Sequence, residues 1–204
     1  MSHEYVSVVD DDGLVLRSLA RLFEAHGFSV RAFSSARDFL EGESRPGPGC
    51  IVMDLSMPGL NGLELQQALT AAADSRPVIF ISGHGSVPSS VEAMKAGAVD
   101  FLTKPLDEQK LLGAVRIALQ KDRSAREKDA ERSAIMDRLA TLTLRERQVL
   151  GRVVAGKLNK QIAAELGTAE KTIKVHRARM MRKMAVDSLA QLVRAWTLSQ
   201  PPAA

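Results

Sequence analysis

Over the first 120 residues, apolar and polar positions follow two alternating rhythms. Short apolar or alternating runs read as strands: YVSVV (5–9), FSVRAF (28–33), CIVMD (50–54), PVIFIS (77–82) and VDFLT (99–103). Between them the apolar positions recur at helical spacing. Residues 14–26 carry Leu16, Leu19, Ala20 and Phe23 along one stripe, and Gly27 suits the helix stop. Ser34 or Ser35 can cap a short helix reaching about Leu40. GLELQQALTAAA, VPSSVEAMKAG (87–97) and the stretch from Leu106 through Leu112, Val115 and Leu119 are helical. Five strand–helix units with near-continuous apolar strands imply an α/β domain, a parallel sheet covered on both faces.

Beyond Leu119 the stripe stops. Residues 120–133, QKDRSAREKDAERS, offer only Ala125 and Ala130 as apolar positions. Good helix formers and the i,i+4 pair Asp122/Arg126 still favour a helix. A helix with no apolar face reads as a solvated connector, and a coiled-coil seam would need apolar positions that this run lacks. A second pattern opens near Leu139. TLRE (143–146) has the form of a capping box. Its helix runs through Val149, Leu150, Val153 and Val154 to Gly156. Asn159 can cap the next helix, which stops at Gly167, and Thr168 a third, AEKTIKVHRARMMRKM. A fourth spans about Ser188 to Leu198. Four short helices form a small all-α bundle, and the second and third have helix-turn-helix spacing. The expected domains are therefore 1–120, a helical linker 121–138, and 139–204.

Charge separates the two halves. Residues 1–120 carry 10 Lys+Arg against 15 Asp+Glu, and residues 140–204 carry 12 against 4. A basic helical domain of that kind has the electrostatic footprint of a polyanion binder. Cys50 is the single cysteine. That excludes an internal disulfide and a multi-cysteine metal site, and it suits the cytoplasm. No apolar run approaches the ~20 residues of a membrane span. The start MSHEYVSVVDDD lacks the basic and apolar regions of a signal peptide.

Polar residues collect where the strands end. Asp10, Asp11 and Asp12 follow the first strand, Asp54 ends the third, Ser82 the fourth and Lys104 the fifth. In a parallel sheet these ends share one edge, where open α/β sheets bind ligands. Strands one and three would be neighbours there, so Asp54 and Asp11 should meet. Clustered carboxylates repel one another unless a cation intervenes. A hard divalent ion such as Mg²⁺ (or Mn²⁺) accepts one or two carboxylates and shares its shell with phosphate oxygens. A metal, a lysine and a hydroxyl around one free carboxylate make a phosphoryl-acceptor site with Asp54 as nucleophile.

The pieces VVDDD, VMDLSMPGLNG, IFISGHGSV and AGAVDFLTKP together resemble the receiver domain of two-component response regulators, over residues 4–120. GHGSVPSSVEAMKAGAVDF is similar to the FixJ branch. The resemblance implies a flavodoxin-like strand order of 2-1-3-4-5. It gives Asp11, and Asp10 through water, a metal-holding role completed by Asp54 and the Ser56 carbonyl. Ser82 would reach the phosphate, Phe101 would be the switching aromatic, and Lys104–Pro105 would be cis. Ser56 and His84 stand where the family tunes dephosphorylation. Ser86 departs from the usual Asp, and Gly13 from a common acidic residue. Asp12 reads as helix N-terminal charge.

In the basic half, Ile173, Met180 and Met184, with Met181 nearby, form the core stripe of the third helix. Lys171, Val175, Ala178 and Arg182 lie opposite, flanked by Lys174 and Arg179. LTLRERQVL, AGKLNKQIAAELG and EKTIKVHRARMMRKM resemble the LuxR/NarL-type DNA-binding domain. That resemblance implies base-edge contact by Lys174 and Val175, a possible thymine-methyl contact by Ala178, and a DNA face including Lys171, Thr172, Arg179 and Arg182. Arg177, close to the core stripe, is expected to pair with Glu146, and His176 to be structural. The last helix, with Leu189, Leu192, Val193 and Trp196, would dimerise.

The resulting expectation is a DNA-binding response regulator, not a metabolic enzyme. A sensor histidine kinase would phosphorylate Asp54. A homodimer would bind an inverted repeat in double-stranded DNA and activate transcription through RNA polymerase, away from any membrane. Two alternatives stay open. An aspartyl-nucleophile phosphatase wants a second Asp two residues on, where this chain has Ser56. A phosphorylation-independent DNA-binding protein would use the receiver-like half for protein contacts alone.

Overall fold

A computed structural model describes residues 4–42, 48–83 and 87–200. His84 and Ser86 lie outside the described residues. The chain divides into two compact units, 1–126 and 127–204.

The first unit holds β1 (Tyr5–Val9), α1 (Gly13–Ala25), β2 (Ser29–Phe33), α2 (Ala36–Gly42), β3 (Gly49–Asp54), α3 (Gly62–Ala71), β4 (Val78–Ser82), α4 (Val87–Lys95) and β5 (Asp100–Thr103). α5 (Glu108–Ala140) begins in this unit and continues past it. The five strands are parallel in the order β2-β1-β3-β4-β5. β3 is central and buried at every residue, which is why its sequence is continuously apolar rather than alternating. Its side chains divide by parity. Cys50 and Val52 face α1 and α5 with Val6, Val8, Phe23, Leu111 and Val115. Ile51 and Met53 face the other layer with Phe39, Leu65, Phe80 and Ala93. Burial, followed by the nearby Asp122 charge, pushes the Cys50 thiol up to about 12, so it is no nucleophile at neutral pH.

Local signals explain several boundaries. Asp12 caps α1, its carboxylate accepting from the Leu14 N–H. Asn61 and Glu64 form a reciprocal capping box on α3. The chain between β3 and α3 turns at Gly59, whose φ of +80° only glycine adopts without strain. The connector departs from its sequence reading at one residue. Asp122, in the run read as solvated, is buried against β3, and its Oδ2 accepts from the Gly49 N–H at 2.8 Å.

The second unit contains α6 (Leu144–Val154), α7 (Asn159–Glu165), α8 (Glu170–Met184) and α9 (Leu189–Ser199). Ile135, Val149, Leu150, Val153, Ile162, Ile173, Met180, Met184 and Leu192 make its core. The Thr143/Glu146 capping box forms as the sequence predicts. The caps of the next two helices differ from expectation. Leu158 and Ala169 occupy the N-cap positions, with no side-chain cap bond. Gln161 instead reaches back to the Leu158 N–H, and Asn159, already inside α7, accepts from Arg177.

Candidate phosphoryl-acceptor site and DNA-reading face

β1 and β3 are neighbours in register, Val9 opposite Met53, so both strands deliver a carboxylate to the same edge. Asp10 is 1% exposed and Asp54 5%. The two are held alike. One oxygen of each accepts from the backbone N–H two residues on: Asp12 N–H to Asp10 Oδ1 at 2.8 Å, and Ser56 N–H to Asp54 Oδ2 at 2.6 Å. The other oxygen of each meets Lys104, whose Nζ lies 2.8 Å from Asp10 Oδ2 and 2.9 Å from Asp54 Oδ1. Lys104 follows β5, two strands away from β3, and its N–H donates to the Ser82 carbonyl at 2.8 Å. The Lys104–Pro105 bond is cis.

The electrostatics follow from that geometry. Burial alone would lower the Lys104 pKa, but its hydrogen bonds to Asp10 and Asp54 outweigh it and hold the ammonium above its usual range. For Asp10, burial outweighs the Lys104 bond, and the Asp54 charge adds to it, so its pKa is raised. Asp10 thus lacks full compensation from one ammonium.

The sequence reading placed Asp11 against Asp54. The structure joins Asp10 to Asp54 through Lys104, and Asp11 is exposed. The backbone turns at the Asp10 carboxylate, and the Asp12 N–H fixes which of the acidic residues points inward. Among the described residues no three acidic, His or Cys side chains converge into a metal cage. A magnesium ion does not need one, since it takes one or two carboxylates and keeps water. The donors that the structure brings together, the buried Asp10 and Asp54 carboxylates, are hard oxygens, and as carboxylates they would carry two negative charges against the single charge of Lys104, so they fit such an ion.

Ser82 is fully buried at the end of β4. Phe101, half-buried on β5, packs against Phe80 with ring centroids 6.4 Å apart. Gly62, which sequence reasoning did not single out, lies directly behind Asp54. A Cβ there would stand 2.5 Å from the Asp54 carbonyl oxygen. The signal available was the Asn-Gly pair itself, whose close-approach meaning appears only in three dimensions.

In the second unit, α8 buries Ile173, Met180 and Met184 and leaves Lys171, Thr172, Lys174, Val175, Ala178, Arg179 and Arg182 exposed. Lys174 pairs with Glu170 one turn earlier at 3.1 Å. The expected Arg177–Glu146 pair does not form. Lys183 takes Glu146 at 2.7 Å and the Thr141 carbonyl at 3.0 Å, while Arg177 donates to Asn159 at 3.2 Å. The first turn of α6 meets the C-terminal end of α8 rather than its middle. Lys183, followed by Thr143, holds the Glu146 carboxyl down at about 2.

A doubly covered parallel sheet with a lysine clasping two carboxylates, linked to a basic helix-turn-helix unit, defines a regulator with a receiver and a DNA-binding module. Residues 6–116 match the family described as response regulator receiver domain, and residues 140–196 the bacterial regulatory proteins of the luxR family. The response regulator protein TodT of Pseudomonas putida is 46% identical over 93% of this chain and 83% of its own length. The transcriptional regulatory protein FixJ of Azorhizobium caulinodans is 46% identical over 93% and 90%. The solved response regulator StyR is 45% identical, covers 96% of this chain and 98% of its own, and superposes with a TM-score of 0.87. The chain belongs to the two-component response regulators of the FixJ type, which are DNA-binding transcription regulators and not metabolic enzymes. Among the described residues no helix is long and apolar enough to cross a membrane.

Proposed function

We propose that this chain is a phosphorylation-switched activator of transcription, with Asp54 as acceptor and a cognate sensor histidine kinase as donor. The observation that carries this reading is the Lys104 ammonium lodged between Asp10 and Asp54. In it, an Asp54 oxygen attacks phosphorus, the N–P bond of the kinase phosphohistidine breaks, and the imidazole leaves. Lys104 stays protonated beside the charge that builds on the transferring group. Asp10, Asp11, Asp54 and the Ser56 carbonyl would hold Mg²⁺ or Mn²⁺, which when bound neutralises phosphoryl oxygens.

The Ser82 hydroxyl then binds the phosphoryl group and Phe101 repacks beside Phe80. That population shift leads to a homodimer on an inverted repeat, contacting RNA polymerase in the cytoplasm. Lys174 and Val175 read base edges, and Ala178 can touch a thymine methyl but cannot donate. Lys171, Thr172, Arg179 and Arg182 position the helix on phosphates. The functional boundaries are 1–120, 121–138 and 139–204. The test is incorporation of acid-labile phosphate from acetyl phosphate or a kinase in the presence of Mg²⁺, with footprinting before and after. Asp54→Asn is expected to abolish incorporation, and undiminished labelling of that variant would reassign the acceptor. Equal footprints with and without phosphate would favour the phosphorylation-independent alternative.

A further inference from the structure

We propose that Asp122 is a clamp that sets where the ordered part of α5 ends, and that residues 127–134 beyond it are where this helix opens. The regulatory use of such a device rests on the phosphorylation reading above; its mechanics do not.

Asp122 lies in a run with no apolar anchor, yet it is 2% exposed. Its Oδ2 accepts from the Gly49 N–H at 2.8 Å and from Arg126 Nε at 2.7 Å. Gly49 opens β3, where the strands are tightly packed: a Cβ on it would lie 3.1 Å from the Tyr5 carbonyl oxygen. The helix is therefore tied to sheet backbone rather than to a mobile side chain. A second tie joins Arg123 to Glu4, just before β1. Both ties are at the sheet edge opposite Asp54, and β3 links them to the acceptor, running from Gly49 at one end to Asp54 at the other.

Past Arg126 the support ends. Every residue from 127 to 134 is exposed, until Ile135 is buried in the second unit. The side-chain tie in this stretch is the exposed Glu131–Arg194 pair, a kind of contact that adds little. Two helical turns without a buried face rely on propensity alone, and such segments open locally well below the free energy of global unfolding. An open segment acts as a tether, and the length of that tether sets the effective concentration at which the DNA-binding unit meets a second copy.

Hydrogen exchange on the full chain, read by mass spectrometry, tests this. In the unmodified protein, amides 112–126 are expected to exchange at least tenfold more slowly than 127–134. In Asp122→Ala the fast stretch should extend back to about residue 120, with at least tenfold loss at 120–126 and unchanged protection in β1 and α1. Asp122→Asn keeps an acceptor for Gly49 and should fall between. Equal protection across 112–134 in the unmodified chain, or an unmoved boundary in Asp122→Ala, would overturn the proposal. So would a parallel loss across the whole sheet, which would make Asp122 part of the global core. If Asp122→Ala does not fold, the unmodified profile and Asp122→Asn decide. The measurement needs no phosphate, so an Asp54 that accepts none would sink the phosphorylation reading and leave the clamp standing.

Discussion

Gly62→Ala is a one-carbon change that should reach Asp54, the proposed acceptor, from behind. Gly62 is the first residue of α3, and its N–H donates to the Leu55 carbonyl at 3.0 Å. The added Cβ would stand 2.5 Å from the Asp54 carbonyl oxygen, 2.9 Å from Phe80 Cε1 and 3.1 Å from the Leu55 Cα. Two of those atoms are backbone, and Phe80 is fully buried, so none can swing aside. Overpacking of this kind costs about 1–3 kcal/mol, and fixed neighbours put it near the upper end. Alanine recovers ~0.5–1 kcal/mol of chain entropy, leaving a net loss of about 2 kcal/mol. Exchange of the slowest amides in β1 and β3 reads the first unit by itself. The same displacement should move the Asp54 carboxylate relative to Lys104 and slow phosphorylation by acetyl phosphate. Gly113→Ala is the control: it is also helical, but no neighbour lies within 4 Å of its Cβ, so ~0.5–1 kcal/mol of stabilisation is expected. A Gly62→Ala protein as stable as its parent, with an unchanged phosphorylation rate, would refute the close-approach argument.

The second unit should carry its own acid dependence. Because Glu146 falls from the usual 4.5 to about 2 on folding, its contribution is complete above pH 4.5 and is lost as pH drops through 2. Discounted for the one-third-exposed Lys183 head, that is about 1–2 kcal/mol, and Glu146→Gln should flatten this stretch of the urea-midpoint profile followed by Trp196 fluorescence. A double-mutant cycle should give about 1 kcal/mol or more of coupling for Glu146 with Lys183 and none for Glu146 with Arg177, the reverse outcome restoring the sequence-based pairing. Arg179→Ala should weaken DNA binding evenly across sequences and reduce the log-salt slope by ~1, whereas sequence-selective loss would make Arg179 a base reader.

Periodicity was enough to place every strand, because a sheet buried on both faces writes itself as apolar runs bounded by glycine and polar residues. It was not enough to choose between Asp10 and Asp11. Both follow the same strand, and what separates them is a single backbone hydrogen bond from Asp12. Asp122 escaped for a related reason. A pattern of apolar residues can announce a buried Leu, but the partner of this buried carboxylate is a main-chain N–H 73 positions earlier, which carries no side-chain signature. The Asp122/Arg126 spacing was visible and correct, yet by itself it looks like any exposed helical pair.

Arg177 shows the limit from the other direction. Its angle on the helical wheel placed it near the core stripe, where it is indeed half-buried, but a wheel has no axial coordinate. Which end of α8 meets the first turn of α6 is decided by how α6, α7 and α8 stack, and that puts Lys183 at Glu146. The mistaken partner of Arg177 has that cause: the pattern along one element fixes a face, while contact depends on a second element's register. Asp54 and Lys104 escaped this ambiguity because a parallel sheet makes all strand ends coincide, so order along the chain already implies proximity in space.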